Sequence, residues 1–501
     1  MHVSMFGLVA KMLSVGLTAG LIAASVTGQT PPPTPFGALP SDRQLAHSHL
    51  ETYAFLHFTV NTFTDREWGN GDEDPNVFNP TSFDPDQIVL ALKSAGMKGA
   101  ILTCKHHDGF CLWPTKTTDH NVSHSKWMNG KGDVVRALAD ACKRHGLLFG
   151  VYVSPWDRNN AAYGTPAYVD LYREQLKELL THYGPLFEVW HDGANGGTGY
   201  YGGANENRSI DRRTYYGWPT TWDIVRELQP NACIFSDIGP DLRWVGNESG
   251  FAGDTSWQTF DAVGLNDDDP APGYAKSDLS VEGTEHGSHW LPAECDVSIR
   301  PGWFWHESES GKVKTTAQLF DLYCRSVGHG ASFLLNVPPD REGKLDAPDV
   351  EALKKFGDVV RETFRHNFAE HAHITASNVR GKDRTFGAQN LVSGRSDHYW
   401  STDDDQTTPT AELDLGSSQT FDLIRVREGI ELGQRVEAFA VDGWIGGQWQ
   451  EIAKATSIGS CRIIRLDQPV TTSKVRLRIT QCPACPVLYD FGLYLQASGA
   501  K

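Results

Sequence analysis

Between residues 45 and 365, short apolar runs alternate with stretches of helical period, and this alternation constrains the fold more than any other feature of the chain. The strand-like runs are Tyr53–Val60, Gly99–Thr103, Leu147–Val153, Leu186–Trp190, Ala232–Ser236 and Phe333–Val337. Amphipathic stretches separate or follow them at Asp86–Ala95, Gly132–Arg144, Tyr168–Tyr183, Thr221–Leu228 and Pro348–Phe364. Parallel strands need a crossover between them, so this pattern specifies βαβ units. Six or more such units over this length specify an α/β fold closed as a (β/α)8-type barrel over 45–365, although helical pattern is sparse between 245 and 310.

After residue 365 the texture changes to short β-rich runs at Ala411–Leu415, Asp422–Arg427, Arg435–Val441, Cys461–Leu466, Ser473–Thr480 and Val487–Leu495. Turn residues punctuate them, as in an all-β sandwich, here placed at 374–498 behind a linker at 366–373. At the other end, residues 1–28 have the form of a secretory signal peptide: His2 and Lys11 precede the apolar run Met12–Val26, and small residues follow. That run is shorter than the ~20 residues of a membrane span, and no later segment approaches that length. A stiff, unstructured Pro-rich leader is expected at 29–44, in an exported protein, periplasmic or secreted, with no membrane insertion after cleavage.

A formal net charge of −17 opposes nucleic acid or an anionic membrane as the main partner. The nine cysteines are odd in number and thinly spread, without the spacing of a disulfide framework. Cys482-Pro-Ala-Cys485 lacks the βαβ context of a redox motif and reads as a surface disulfide or two free thiols.

Polar residues gather where the strands end. His57 closes the first run, with Asp65-Arg66-Glu67-Trp68 soon after. The second runs into Lys105-His106-His107-Asp108, the third carries Tyr152, the fourth ends in Trp190-His191-Asp192, and the fifth leads through Asp237 to Trp244 and Glu248. The carboxyl ends of parallel strands are where barrel enzymes place their chemistry. A carboxylate at Asp192 beside Trp190 suits a glycosidase nucleophile with an aromatic wall for a sugar ring. Hydrolysis with retention needs a second carboxyl about 5–5.5 Å away as proton shuttle. Glu248, in a Gly/Asn-rich loop, is the candidate, and Glu67, Asp237, Asp241, Glu282, Glu285 and Glu294 compete with it. The shuttle must hold its proton when the first step begins, so its pKa is expected to be raised while Asp192 stays ionised.

His106 and His107, with Asp108, raise a metal-hydrolase reading. Neighbours on a strand point to opposite faces, and no HxH or HExxH spacing accompanies them, so imidazoles binding hydroxyl groups are favoured and no metal is expected.

Six blocks carry a resemblance: HFTVNTFTDREWGNG (57–71), LTCKHHDGFCLWPT (102–115), GVYVSPWDRN (150–159), EVWHDGANG (188–196), FSDIGPDLRWVGNE (235–248) and ECDVSIRPGWFWH (294–306). Together they resemble the α-L-fucosidases of glycoside hydrolase family 29. The resemblance implies retaining hydrolysis of terminal α-L-fucose from fucosylated oligosaccharides or glycoconjugates, without metal or organic cofactor. It implies Asp192 as nucleophile and Glu248 as acid/base. His57, Glu67, Trp68, His106, His107 and Tyr152 would hold the fucose hydroxyls, beside Trp190, with Trp303 near the sugar's methyl group.

The last two blocks are similar to the subgroup acting on α-1,3/1,4 linkages in Lewis-type branched glycans. Gly197–Trp218 reads as an extended loop able to reshape the aglycone side. The C-terminal part resembles a discoidin (factor 5/8 type C) or carbohydrate-binding module, which implies either glycan binding or structural support; Trp400 and Tyr399 suit a buried role equally well. Asp403-Asp404-Asp405 reads as a solvated acidic turn rather than a calcium site. The competing reading of the whole chain is a secreted glycan-binding protein on a glycosidase scaffold.

Overall fold

The computed structural model describes residues 30–501, so the signal-peptide expectation at 1–28 lies outside the described residues. Eight parallel strands close into a barrel: β1 (Thr52–Leu56), β2 (Gly99–Lys105), β3 (Leu148–Val153), β4 (Glu188–Trp190), β5 (Cys233–Ser236), β6 (Leu242–Trp244), β7 (Ala293–Ser298) and β8 (Ser332–Asn336). Closure is made by β8 on β1, with Ala54 opposite Leu335. The strands are short and buried on both faces, which is why they read as continuous apolar runs.

Helices α1 (Asp42–Ser48), α2 (Val60–Thr64), α3 (Pro85–Ser94), α4 (Val134–His145), α5 (Pro166–His182), α6 (Trp218–Leu228), α7 (Thr316–Ser326) and α8 (Ala347–Phe364) supply the crossovers and ends. Local chemistry sets their limits. Asp133 caps α4 by accepting from the Arg136 amide, and Gly146 follows in the left-handed conformation that a helix end favours. The first apolar run stops as a strand at Leu56; Thr59 then caps α2, turning what read as strand into a helical turn.

Crossover helices are missing around half of the barrel's later turn. β5 and β6 are separated by Asp237–Asp241 alone, and between β6 and β7 the described chain contains only one short 3-10 turn, Ser277–Ser280. At the opposite end, α1 plugs the barrel: Gln44 donates to the carbonyls of Asp241 and Trp290 at 2.9 and 2.7 Å, and His47 meets Glu188 at 2.9 Å.

The C-terminal part is an antiparallel β domain built from β9 (His373–Ala376), β10 (Trp400–Ser401), β11 (Thr410–Glu428), β12 (Ala438–Ile445), β13 (Gln448–Ala455), β14 (Arg462–Gln481) and β15 (Val487–Tyr494). Runs that read as separate short strands are joined in β11 and in β14, which pair along their length with breaks in register. Its apolar core includes Trp400, fully buried, whose indole N–H donates to the Asn378 carbonyl at 3.1 Å. Leu423, Cys461, Ile463 and Tyr494 instead join the core that lies between barrel and helices.

The leader expected to be unstructured is tied down in part. Phe36 N–H donates to the Leu432 carbonyl at 3.0 Å, and Arg435 donates to that of Thr34 at 2.6 Å. All nine cysteines are free thiols, and Cys482 and Cys485 are buried rather than at the surface. Among the described residues no helix is long and apolar enough to cross a membrane.

Candidate active site

Side chains alternate along a strand, so residues two apart share a face. On β4 and its extension this puts Glu188, Trp190 and Asp192 in line along the barrel interior, from the plugged end to the mouth. Glu188 is fully buried, Trp190 nearly so, and Asp192 emerges half-buried. Trp190 stacks on Phe235 with centroids 4.1 Å apart and planes 10° apart, and its N–H donates to Glu294 on β7 at 2.7 Å.

Above this floor lies a cavity of about 480 Å³. All ten residues singled out in the sequence line it: His57, Glu67, Trp68, His106, His107, Tyr152, Trp190, Asp192, Glu248 and Trp303. Asp192 accepts from the Tyr152 hydroxyl and from the Ala194 amide, each at 2.7 Å, and His107 Nε2 stands 3.6 Å away. Burial raises the Asp192 pKa above its ordinary value, and these two donors pull it back. Glu248 stands at the exposed rim, where the Trp303 indole donates to it at 3.3 Å. Its pKa is also raised: desolvation dominates, the indole opposes it, and the charges of Asp192 and Glu67 add to it.

The three imidazoles are neutral. Burial pushes His57 and His107 down to about 3 and His106 well below its ordinary value. His57 Nδ1 meets the Asn336 side-chain oxygen at 2.8 Å, and His107 Nδ1 meets Ser154 Oγ at 2.7 Å. Asp108 turns away from both, accepting from Thr59 Oγ1 at 2.9 Å and the Phe110 amide at 2.7 Å. Among the described residues, the groups with ligand atoms close enough for a metal are His47–Glu188–Glu294 and Glu285–His286–Glu437, and neither includes His106, His107 or Asp108.

Glu67 is engaged differently from the sequence expectation. Its carboxylate accepts from the backbone amides of Trp303 and Phe304 at 2.8 and 3.2 Å and meets His306 at 2.6 Å, while still lining the cavity. The structure adds two pocket carboxyls that the sequence did not single out for binding. Asp237 accepts from the Gly273 amide at 3.0 Å, with burial pushing its pKa up to about 6; Asp296 accepts from the Trp244 indole at 2.8 Å. Asp296 shares its parity with Glu294 on β7, a signal the sequence did hold. No residue of the 197–218 loop lines the cavity; its far wall is Gly273, Ala275 and Ser277.

Neutral imidazoles donate and accept without carrying charge, and indole faces cover C–H surfaces, so this lining suits a polyhydroxylated ring. With Asp192 and Glu248 among the carboxyl groups of one cavity, at the mouth of the barrel, the protein is a glycoside hydrolase in class.

The alpha-L-fucosidase family profile matches residues 40–363, and that of the F5/8 type C domain matches 373–489. Alpha-L-fucosidase 1 of Arabidopsis thaliana is 40% identical over 483 residues, 96% of this chain and 92% of the plant protein. A glycoside hydrolase 29 family member from an unknown rumen bacterium superposes with TM-score 0.82 at 42% identity, over 93% of this chain and 78% of that one. A Ruminococcus gnavus GH29 fucosidase in complex with fucose superposes with TM-score 0.84 at 30% identity, over 95% and 98%. The chain belongs to the alpha-L-fucosidase family, glycoside hydrolase family 29.

Proposed function

We propose that this protein is an exported, periplasmic or secreted, exo-fucosidase that removes terminal α-L-fucose with retention, preferring α-1,3 and α-1,4 linkages of Lewis-type glycans. The observation that carries the mechanism is the setting of Asp192, a carboxylate at the end of β4 held by two donors beneath an open cavity. Asp192 attacks the anomeric carbon as the glycosidic C–O bond breaks, and Glu248 gives its proton to the departing oxygen. Water then attacks the fucosyl–Asp192 ester, Glu248 takes the water's proton, and fucose leaves with both carboxyls restored.

His57, His106 and His107 bind hydroxyls, with Trp190 and Trp303 against the ring's apolar edges. Export rests on the residues 1–28, and the linkage preference on the blocks at 235–248 and 294–306. The test is fucose release from a Lewis-type trisaccharide, an α-1,2-fucosylated oligosaccharide and an aryl fucoside, with Asp192→Ala alongside. Release from the Lewis compound alone, lost in the variant, supports the reading. Equal release from all three removes the linkage preference, and activity in the variant removes Asp192 as nucleophile.

A further inference from the structure

Trp303 donates to the rim carboxyl, and its position is fixed from three sides. Its side chain donates to Glu248, its carbonyl accepts from Asn336 Nδ2 at 2.7 Å, and its amide donates to Glu67 Oε2 at 2.8 Å. Glu67 Oε1 accepts from the Phe304 amide at 3.2 Å and from His306 Nε2 at 2.6 Å. Of the roughly four lone-pair directions a carboxylate offers, three are therefore committed to the 302–306 segment.

His306 in turn is held between two carboxylates, with Nδ1 2.8 Å from Asp65 Oδ1. Both ring nitrogens then donate, which only the imidazolium can do. Asp65 reaches that position from the end of α2 at φ 60°, a left-handed conformation that costs a residue with a side chain. Gly302 makes the packing possible: a Cβ there would lie 2.5 Å from Glu67 Oε1 and 3.0 Å from His306 Cδ2.

We propose that His306 is a positioning residue of the sugar site, clamping Glu67 onto the 302–304 backbone so that Trp303 is held against Glu248. This inference rests on the reading of Glu248 as the acid/base. The charged groups facing His306 are Asp65 and Glu67, with Arg341 3.5 Å behind Asp65 and Glu309 accepting from the Gly302 amide at 3.1 Å. Burial alone would lower the His306 pKa, but its hydrogen bonds to Asp65 and Glu67 and their charges raise it above its ordinary value. The clamp therefore loosens as pH rises through that raised pKa.

The experiment compares His306→Ala, His306→Gln, His306→Asn and Asp65→Asn in the full chain. It reads the pH dependence of kcat/KM on a Lewis-type trisaccharide and the affinity for L-fucose by tryptophan fluorescence. A glutamine amide nitrogen reaches the place of Nε2 and preserves the Glu67 contact, whereas an asparagine amide takes the place of Nδ1 and does not.

The expected result is a loss of about 10- to 100-fold in kcat/KM, through KM, for the alanine and asparagine variants, with glutamine closer to the parent. Freed from the Trp303 donor, Glu248 keeps its proton longer, so the basic limb moves to higher pH in those two variants and by less in Asp65→Asn. General destabilisation lowers activity without moving that limb. Should His306→Ala fail to fold, the glutamine and Asp65 variants carry the test. A limb and an L-fucose affinity unchanged in all variants, or glutamine behaving as alanine does, would overturn the proposal. If instead Glu248→Gln keeps full activity, the acid/base reading fails, while the L-fucose affinities still decide whether His306 orders the Trp303 side of the pocket.

Discussion

The phenol of Tyr152 donates to Oδ2 of Asp192 across 2.7 Å, from one barrel strand to the end of the next. A donor on an ionised carboxylate favours the charged form, so this contact opposes the rise that burial imposes on Asp192. Tyr152→Phe removes the donor and keeps the ring. The Asp192 pKa then rises, and the acid limb of the pH–rate profile is expected to move to higher pH, because the proposed nucleophile must be ionised to attack. The loss in kcat/KM is expected to be on the order of 10²-fold. An unmoved acid limb would show that another group titrates there.

The two carboxyls are separable by the products their variants form with azide. Glu248→Ala is expected to slow release from a Lewis-type glycan by about 10²- to 10⁴-fold, and far less from a fucoside whose leaving group needs no proton. On the proposed mechanism, azide then attacks the fucosyl–Asp192 ester and gives the α-fucosyl azide, with configuration retained. Asp192→Ala leaves the opposite face open, and azide attacking there gives the β-azide. NMR of the two products decides the assignment, and a β-azide from Glu248→Ala would exclude the covalent intermediate.

His107 has Nδ1 engaged by Ser154 and Nε2 3.6 Å from Asp192, and Asp108 is committed to the Thr59 hydroxyl and the Phe110 amide. Fucose release is accordingly expected to be unchanged after dialysis against EDTA, measured with and without added zinc. Inhibition by EDTA with recovery on zinc would restore the metal reading of this pair.

How far the fold could be read from the sequence depended on what each strand carries. Strands β1 to β5 and β8 hold near-continuous apolar residues and were legible. Strand β6 has three residues, and β7 alternates Glu294, Asp296 and Ser298 toward the interior, so neither shows an apolar run. The missing crossovers on that side removed the helical signal as well. The pocket was legible because its residues follow strand ends, where parity and position agree. The wall at Gly273, Ala275 and Ser277 was not, since it is brought in by a long irregular segment with no periodicity to read. Glu67 reads as a ligand for the sugar; it lines the cavity, and only the three-dimensional contacts show that its carboxylate also binds the 303–306 segment.

Beneath the pocket, Glu188 and Glu294 face one another in the closed barrel with His47, and Tyr53 and Trp190 both donate to Glu294. Burial pushes the Glu188 pKa up to about 8 from 4.5. A carboxyl raised on folding binds more protons folded than unfolded between those values, so stability falls as pH rises from about 4.5 to about 8. Glu188→Gln keeps a neutral donor there and cannot ionise. Its melting temperature is expected to decline less over that window than the parent's, and to exceed it at pH 8. Parallel curves for the two proteins would show that Glu188 does not titrate in this range.

The β domain contributes Leu423, Cys461, Ile463 and Tyr494 to the barrel's own core, and its backbone is stitched to the barrel where the Ile463 amide donates to the Gly328 carbonyl at 2.8 Å. Arg427 adds an ion pair with Glu51, which sits at φ 58° just before β1. Exposing a large apolar side chain costs about 1.5–3 kcal/mol, and removing the domain strips several at once from beside α7 and α8. A chain ended at residue 365 is therefore expected to be insoluble, or to melt well below the intact protein, even though the whole sugar pocket lies within it. Ile463→Ala in the intact chain should cost about 2–5 kcal/mol by denaturant unfolding, with KM unchanged. A truncated barrel that folds and turns over like the parent would instead mean that the β domain is a separate module, and would return the weight to glycan binding as its purpose.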